Sequence, residues 1–202
     1  MCRFVRAHYE SNPVNLANSI SIFRLVLIPV FIGLIVYYEP GREWVRYLAF
    51  AVFFTAAVSD FVDGYVARHF DQSTELGAVL DPLADKLLIN LSFVFLAVTP
   101  HFETDVPMWL PVVILGRDIT IAVGSYLLNK YRGPLRPRPR FLGKAATIAH
   151  SVGVAWVVLN LPYGFQILMV MVAISVASLV DYLFYGYEQA VPEEGQVSGD
   201  PD

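Results

Sequence analysis

Four of the five aspartates in the segment Ser59 to Lys86 have a spacing that could support chemistry: Asp60 and Asp63, then Asp81 and Asp85. Separations of three and four residues put each pair on one face of a helix. A short connection between the two helices makes them antiparallel neighbours, so both acidic pairs can meet across one groove. Four carboxylates in that groove would repel one another and retain protons unless something neutralises them. Hard divalent cations are the natural neutraliser, and Mg²⁺ or Mn²⁺ suits an all-carboxylate site that keeps positions for water or phosphate. The competing assignment is structural, with the acids capping helices or pairing with Arg68, Lys86 and Arg117.

Small residues surround the acids. Gly64 and Ala67 share the helical face of Asp60 and Asp63, and Gly77 stands one turn before Asp81. Side chains that small let a bulky ligand approach the backbone, although in membranes they equally favour close helix packing. Arg68, one turn beyond Gly64, presents a fork of donors suited to a phosphate.

The elements that must position these residues follow from composition. The chain has 202 residues, 56% hydrophobic and 16% charged, with a mean hydropathy of +0.54. Soluble domains are roughly 45–50% apolar and roughly 25% charged, and a domain this small cannot hide the excess. A disordered chain, a fibrous protein and an ordinary cytosolic enzyme are excluded. A helix needs about 20 apolar residues to cross a bilayer core. Six stretches qualify or nearly do: Asn18 to Tyr38, Trp44 to Val62, Gly77 to Val98, Pro107 to Lys130, Phe141 to Leu161 and Tyr163 to Tyr185. Their length and lack of strict alternation argue against a barrel. The expected fold is all-α, a polytopic bundle of six transmembrane helices over residues 18–187. A cytoplasmic segment 1–17 precedes it, and an acidic tail 188–202, rich in Gly and Pro, is expected to be disordered. The first apolar stretch is too long for a signal peptide and has no cleavage site after it. Cys2 is the only cysteine, so no intrachain disulfide forms.

Loop charge sets the orientation. With the N-terminus in the cytoplasm, the inner side carries Arg3, Arg6, Arg68, Lys130, Arg132, Arg136, Arg138, Arg140 and Lys144, whereas the outer loops carry Arg42 and Arg46 among acids. Both termini and the acidic motif are therefore expected on the cytoplasmic face, in a cell inner membrane. No nucleic-acid partner is expected.

The run Asp60-x-x-Asp63-Gly64-x-x-Ala67-Arg68, eight residues, then Gly77-x-x-x-Asp81-x-x-x-Asp85 resembles the signature of the CDP-alcohol phosphotransferases at all eight positions. Asn18 to Arg24 is similar to that family's Asn-x-x-Thr-x-x-Arg opening, with Ser21 in place of Thr. The resemblance implies transfer of a substituted phosphate from a CDP-linked donor to a hydroxyl, with release of CMP. It implies Asp60, Asp63, Asp81 and Asp85 as ligands of two Mg²⁺ or Mn²⁺ ions, and Asp85 as the base. It implies that Gly64, Ala67, Arg68 and Gly77, with the aspartates, accommodate the CDP part. CDP-diacylglycerol is the expected donor, and a homodimer would be in keeping with the family.

The acceptor is addressed by other residues. Arg117 and Asp118 fall within an apolar span, which is costly without a functional or pairing reason. Arg117 either meets the acceptor or pairs with Asp118 or Asp181, and Lys144 could reach an acceptor phosphate. Gly116-Arg117-Asp118 with Gly143-Lys144-x-x-Thr147 resembles the branch that makes phosphatidylglycerol phosphate or cardiolipin. The Arg-Asp pair leans toward cardiolipin synthase, whose acceptor is phosphatidylglycerol, over the enzyme that uses glycerol 3-phosphate. Inositol phosphate or another polar alcohol is the alternative within the family. Outside it, a UbiA-type prenyltransferase would need more helices and two distant acidic motifs. A divalent-cation transporter would leave Gly64, Ala67, Arg68 and Gly77 unexplained.

Overall fold

Proline or glycine marks four of the five breaks between six helices, and the polar run Asp71 to Thr74 marks the other. In the computed structural model the helices are α1 (Leu16–Tyr37), α2 (Glu43–Phe70), α3 (Glu75–Val98), α4 (Trp109–Arg132), α5 (Phe141–Val158) and α6 (Gly164–Ala190). The structure describes residues 16–70, 75–132 and 141–190, with side chains described over 22–59, 83–131 and 141–186. Pro40 and Gly41 break the chain between α1 and α2, and Gly41 takes a φ of 97° that favours glycine. Pro111 falls in the first turn of α4, where a missing N–H leaves no helical bond unmade. The α5–α6 connection is as tight as its Pro162 suggests, with Asn160 and Tyr163 both in the left-handed region at φ 49° and 62°.

Most helix boundaries match the apolar stretches closely. The exception is α2, which continues to Phe70 rather than ending near Val62. Hydropathy falls after Val62, but helical hydrogen bonding does not require apolar side chains, and between Asp63 and Phe70 there is no proline and a single glycine, Gly64, which a helix tolerates. Arg68, expected in a loop, is thus on α2. At the other end of the chain α6 extends to Ala190, into the segment expected as tail.

Side chains three and four residues apart build the core. Ile28, Phe31 and Ile35 of α1 pack with Val45, Ala49, Phe53 and Ala56 of α2 and with Leu88, Ile89, Phe93 and Leu96 of α3. The rings of Phe31 and Phe53 are 5.4 Å apart and tilted. Among the described residues α1 lies against both α2 and α3, α5 reaches α2, α3 and α6, and α4 bridges α3 and α6. The loops after α1, α3 and α5 gather at one end. There His101 Nδ1 lies 2.8 Å from the Tyr38 carbonyl oxygen, and the Glu103 N–H donates to Asn160 Oδ1 at 3.2 Å. The helices therefore run alternately up and down, with the last turns of α2 and α4 and the first turns of α3 and α5 at the opposite end.

The outside of the bundle carries many large apolar side chains. Val26, Val30, Phe54, Val112, Ile119, Val123, Val170 and Val176 are all exposed, which in water would be untenable and in lipid is expected. Trp44, Tyr47, Trp109 and Tyr163 are exposed near one end and Tyr126 and Tyr131 near the other, as in the aromatic belts of membrane proteins. Trp109–Tyr131, Phe141–Val158 and Gly164–Gly186 are each long and apolar enough to cross a membrane among the described residues, and Ile22–Tyr37 is a shorter apolar helix. The expectation of six spans is thus met by three helices.

One packing position is tight. A Cβ on Gly153 of α5 would come within 2.7 Å of Met171 Sδ and 3.3 Å of Phe93 Cζ. Gly153→Leu should therefore destabilise the protein by about 1–3 kcal/mol, read as a lower melting temperature in detergent, with Gly153→Ala affected less because the Met171 chain can move.

Candidate functional site

Two features are candidates for the site. The first is the acidic signature, carried on two unbroken helices. Because α2 continues to Phe70, Asp60, Asp63, Gly64, Ala67 and Arg68 recur at helical spacing along one stripe of it. On α3, Gly77, Asp81 and Asp85 follow one another at intervals of four, again on one stripe. The side chains of Asp60, Asp63, Gly64, Ala67, Arg68, Gly77 and Asp81 lie outside the described residues, so their convergence stays an expectation. Asp85 is described and is partly buried. Among the described residues no group of three or more His, Cys, Asp or Glu could hold a metal ion. The donor chemistry nevertheless fits hard cations, since the stripes offer carboxylate oxygen and no sulfur or imidazole.

The second feature is a cavity of about 410 Å³, lined by Lys86 of α3, Arg117, Asp118, Ile121 and Ala122 of α4, Gly143 and Lys144 of α5, and Ser178, Asp181 and Tyr182 of α6. It brings together Arg117 and Lys144, the two residues expected to meet the acceptor, although 27 positions separate them in sequence. Their settings differ. Lys144 is exposed at the start of α5, whereas Arg117 is 6% exposed.

Burial of Arg117 is possible because neighbours neutralise it. Its Nη1 donates to Asp118 Oδ1 at 2.9 Å and its Nη2 to Ser178 Oγ at 2.7 Å. Nε is buried with no hydrogen-bond partner. Asp118 in turn receives Lys86 Nζ on its other oxygen at 2.6 Å. The pairing of Arg117 with Asp118, weighed from sequence against an acceptor role, is thus present while both residues also line the cavity. Deeper in the bundle His150 Nε2 lies 3.3 Å from Ser175 Oγ, and nearer the C-terminal ends of α4 and α6 Ser125 Oγ meets Tyr182 OH at 2.5 Å. These contacts tie α4 and α5 to α6.

Sequence reasoning missed Lys86, Ser178 and Tyr182 as cavity residues and considered Asp181 only as a partner for Arg117. A signal existed on α6, where Ser178, Asp181 and Tyr182 fall at i, i+3 and i+4 within an otherwise apolar run. Such a polar stripe in a membrane-capable helix marks the face turned toward other helices.

Comparison with known proteins places this arrangement in context. The sequence profile of the CDP-alcohol phosphatidyltransferase family matches residues 14–180. A protein of Mycobacterium tuberculosis named "Probable phosphatidylglycerophosphate synthase" is 34% identical over 174 residues, covering 84% of this chain and 80% of its own length. The CDP-diacylglycerol–glycerol-3-phosphate 3-phosphatidyltransferase of Escherichia coli K12 is 34% identical over 149 residues, covering 70% of this chain and 75% of its own.

Removing one polar partner of Arg117 tests the network. Ser178→Ala leaves a buried guanidinium N–H without its acceptor and should cost about 1–2 kcal/mol, measured by thermal unfolding in detergent.

Proposed function

We propose that this chain, which belongs to the CDP-alcohol phosphatidyltransferase family, transfers a phosphatidyl group from CDP-diacylglycerol to glycerol 3-phosphate and releases CMP. It is a transferase of phospholipid biosynthesis by that membership. The observation that carries the choice of acceptor is the cavity lined by Lys86, Arg117 and Lys144, with Asp85 next to Lys86 on α3. A small phosphate-bearing alcohol needs cations for its phosphate and a carboxylate near its hydroxyl, and this end of the bundle offers both. The names of the relatives point the same way. The lean toward cardiolipin synthase drawn from Arg117-Asp118 finds no support in those names. In the structure Asp118 spends its carboxylate on Lys86 and Arg117, an assignment that does not distinguish the two acceptors.

In the proposed reaction the acceptor hydroxyl oxygen attacks the phosphorus that carries the diacylglycerol. The bond from that phosphorus to the CMP oxygen breaks, and CMP leaves with the electron pair. Asp85 takes the hydroxyl proton, and Arg117 and Lys144 hold the acceptor phosphate. Gly64, Ala67 and Gly77 leave room for the cytidine nucleotide, and Arg68 donates to its phosphates. The family is generally dependent on divalent metal. Asp60, Asp63, Asp81 and Asp85 would hold two Mg²⁺ or Mn²⁺ ions, which supply positive charge against the diphosphate.

All six helices cross the membrane in this reading, with residues 18–187 as the catalytic domain and the cavity end in the cytoplasm. The apolar exterior of the described helices supports it, as does the Lys and Arg asymmetry of the loops. An inner-membrane location and a homodimer belong to the same proposal.

The deciding experiment offers labelled CDP-diacylglycerol with glycerol 3-phosphate, phosphatidylglycerol, inositol phosphate or serine in turn, followed by thin-layer analysis. Product and CMP should form with glycerol 3-phosphate, vanish with EDTA and return with Mg²⁺ or Mn²⁺. Efficient turnover of phosphatidylglycerol in its place would restore the cardiolipin reading. Asp85→Asn should lower turnover by about 100-fold or more while CDP-diacylglycerol still binds, and normal turnover by this variant would remove Asp85 as the base.

A further inference from the structure

Lys86 has no place in the signature that the family resemblance supplies, yet it lines the cavity. It follows Asp85 on α3, and consecutive residues of a helix point about 100° apart. Asp85 can therefore serve the acidic stripe while Lys86 turns toward α4. Its Nζ lies 2.6 Å from Asp118 Oδ2, with the lysine side chain 46% exposed and the aspartate 9%. The other oxygen of Asp118 is held by Arg117 at 2.9 Å. One carboxylate thus serves two cations that border the same space. Donors remain on Lys86, since an ammonium has three N–H groups and its side chain is 46% exposed; Nε of Arg117 also lacks a hydrogen-bond partner, at a fully buried position. An anion with several acceptor oxygens is the chemistry that would use them.

We propose that Lys86 is a ligand of the acceptor phosphate and a determinant of acceptor specificity, held ready by Asp118. The inference rests on glycerol 3-phosphate being the acceptor. Asp118 is then a positioning residue. It keeps the Lys86 ammonium at the cavity wall and shares it with the phosphate when the acceptor enters. Placing the base and an anion ligand on adjacent residues of one helix, with Cα atoms about 3.8 Å apart, sets a short distance between the reacting hydroxyl and the charged group. An alcohol whose hydroxyl lies a few atoms from a phosphate fits that spacing, and one that lacks the phosphate gains nothing from Lys86.

The test uses the purified full chain with Mg²⁺, CDP-diacylglycerol and glycerol 3-phosphate. Absence of wild-type turnover overturns the acceptor reading and this inference with it. With turnover established, Lys86→Met should raise KM for glycerol 3-phosphate by about tenfold or more. KM for CDP-diacylglycerol should stay within about twofold of wild type, and Lys86→Arg should recover most of the loss. Glycerol 3-phosphate affinity measured by titration calorimetry should fall in parallel. An unchanged acceptor KM in Lys86→Met overturns the role of Lys86 and leaves the acceptor reading standing. A double-mutant cycle separates binding from support of Asp118. If Lys86 contacts the phosphate, Lys86→Met still raises the acceptor KM in an Asp118→Asn background. If it has no further effect there, Lys86 serves only as the partner of Asp118 and the inference fails. Lys86→Gln, which keeps a donor and shortens the chain, replaces the Met variant should that one not accumulate.

Discussion

An ionised side chain between apolar helices must be neutralised by a neighbour or it will not stay there. That constraint governs the half of the bundle around the cavity. Asp118 is tolerable because Lys86 reaches it from α3 and Arg117 from its own helix. Arg117 is tolerable because Asp118 and Ser178 take two of its donor groups. Three helices are thereby joined through one carboxylate and one guanidinium. The other half of the bundle is held differently, by Phe31, Phe53, Phe93 and the aliphatic residues around them, where shape and volume decide the fit. The protein so divides into a closely packed apolar half and a half in which buried charges neutralise one another around a cavity.

The difference between those halves governs how much could be read from sequence. The acidic stripes were legible because Asp60, Asp63, Asp81 and Asp85 recur at helical intervals and carboxylates are expensive in apolar surroundings. The six helices were legible from long apolar runs interrupted at Pro40-Gly41, Thr99-Pro100 and Pro162. The pairing of Arg117 with Asp118 was among the foreseen options because few partners exist inside a membrane span. The end of α2 was not legible, since hydropathy reports where a helix leaves an apolar environment and not where its backbone bonds stop. Nor was the partnership of Lys86 with Asp118, because it joins residues 32 positions apart and nothing local encodes it. Contacts such as Phe31 with Phe53 were hidden for a further reason. When both faces of a helix are apolar, the periodicity that marks the inward side of a soluble helix is faint.

The choice between acceptors shows a different limit. Arg117-Asp118 was read as a mark of one branch, yet the aspartate is occupied by Lys86 and Arg117. A residue that organises its neighbours is a poor reporter of which ligand those neighbours bind.

The length of α2 has a consequence for how substrates arrive. At 28 residues it extends about 42 Å, against a hydrocarbon layer of about 30 Å. A helix of that reach can emerge from the oily layer into the headgroup zone, and the acidic stripe lies on its final turns. The proposed donor, with its two acyl tails, would then never have to leave the bilayer, meeting the protein by sideways diffusion while its nucleotide stays wet. Supply of that donor would follow its mole fraction among the surrounding lipids and not its amount per volume of solution, so dilution with inert lipid would slow the enzyme even at constant total concentration.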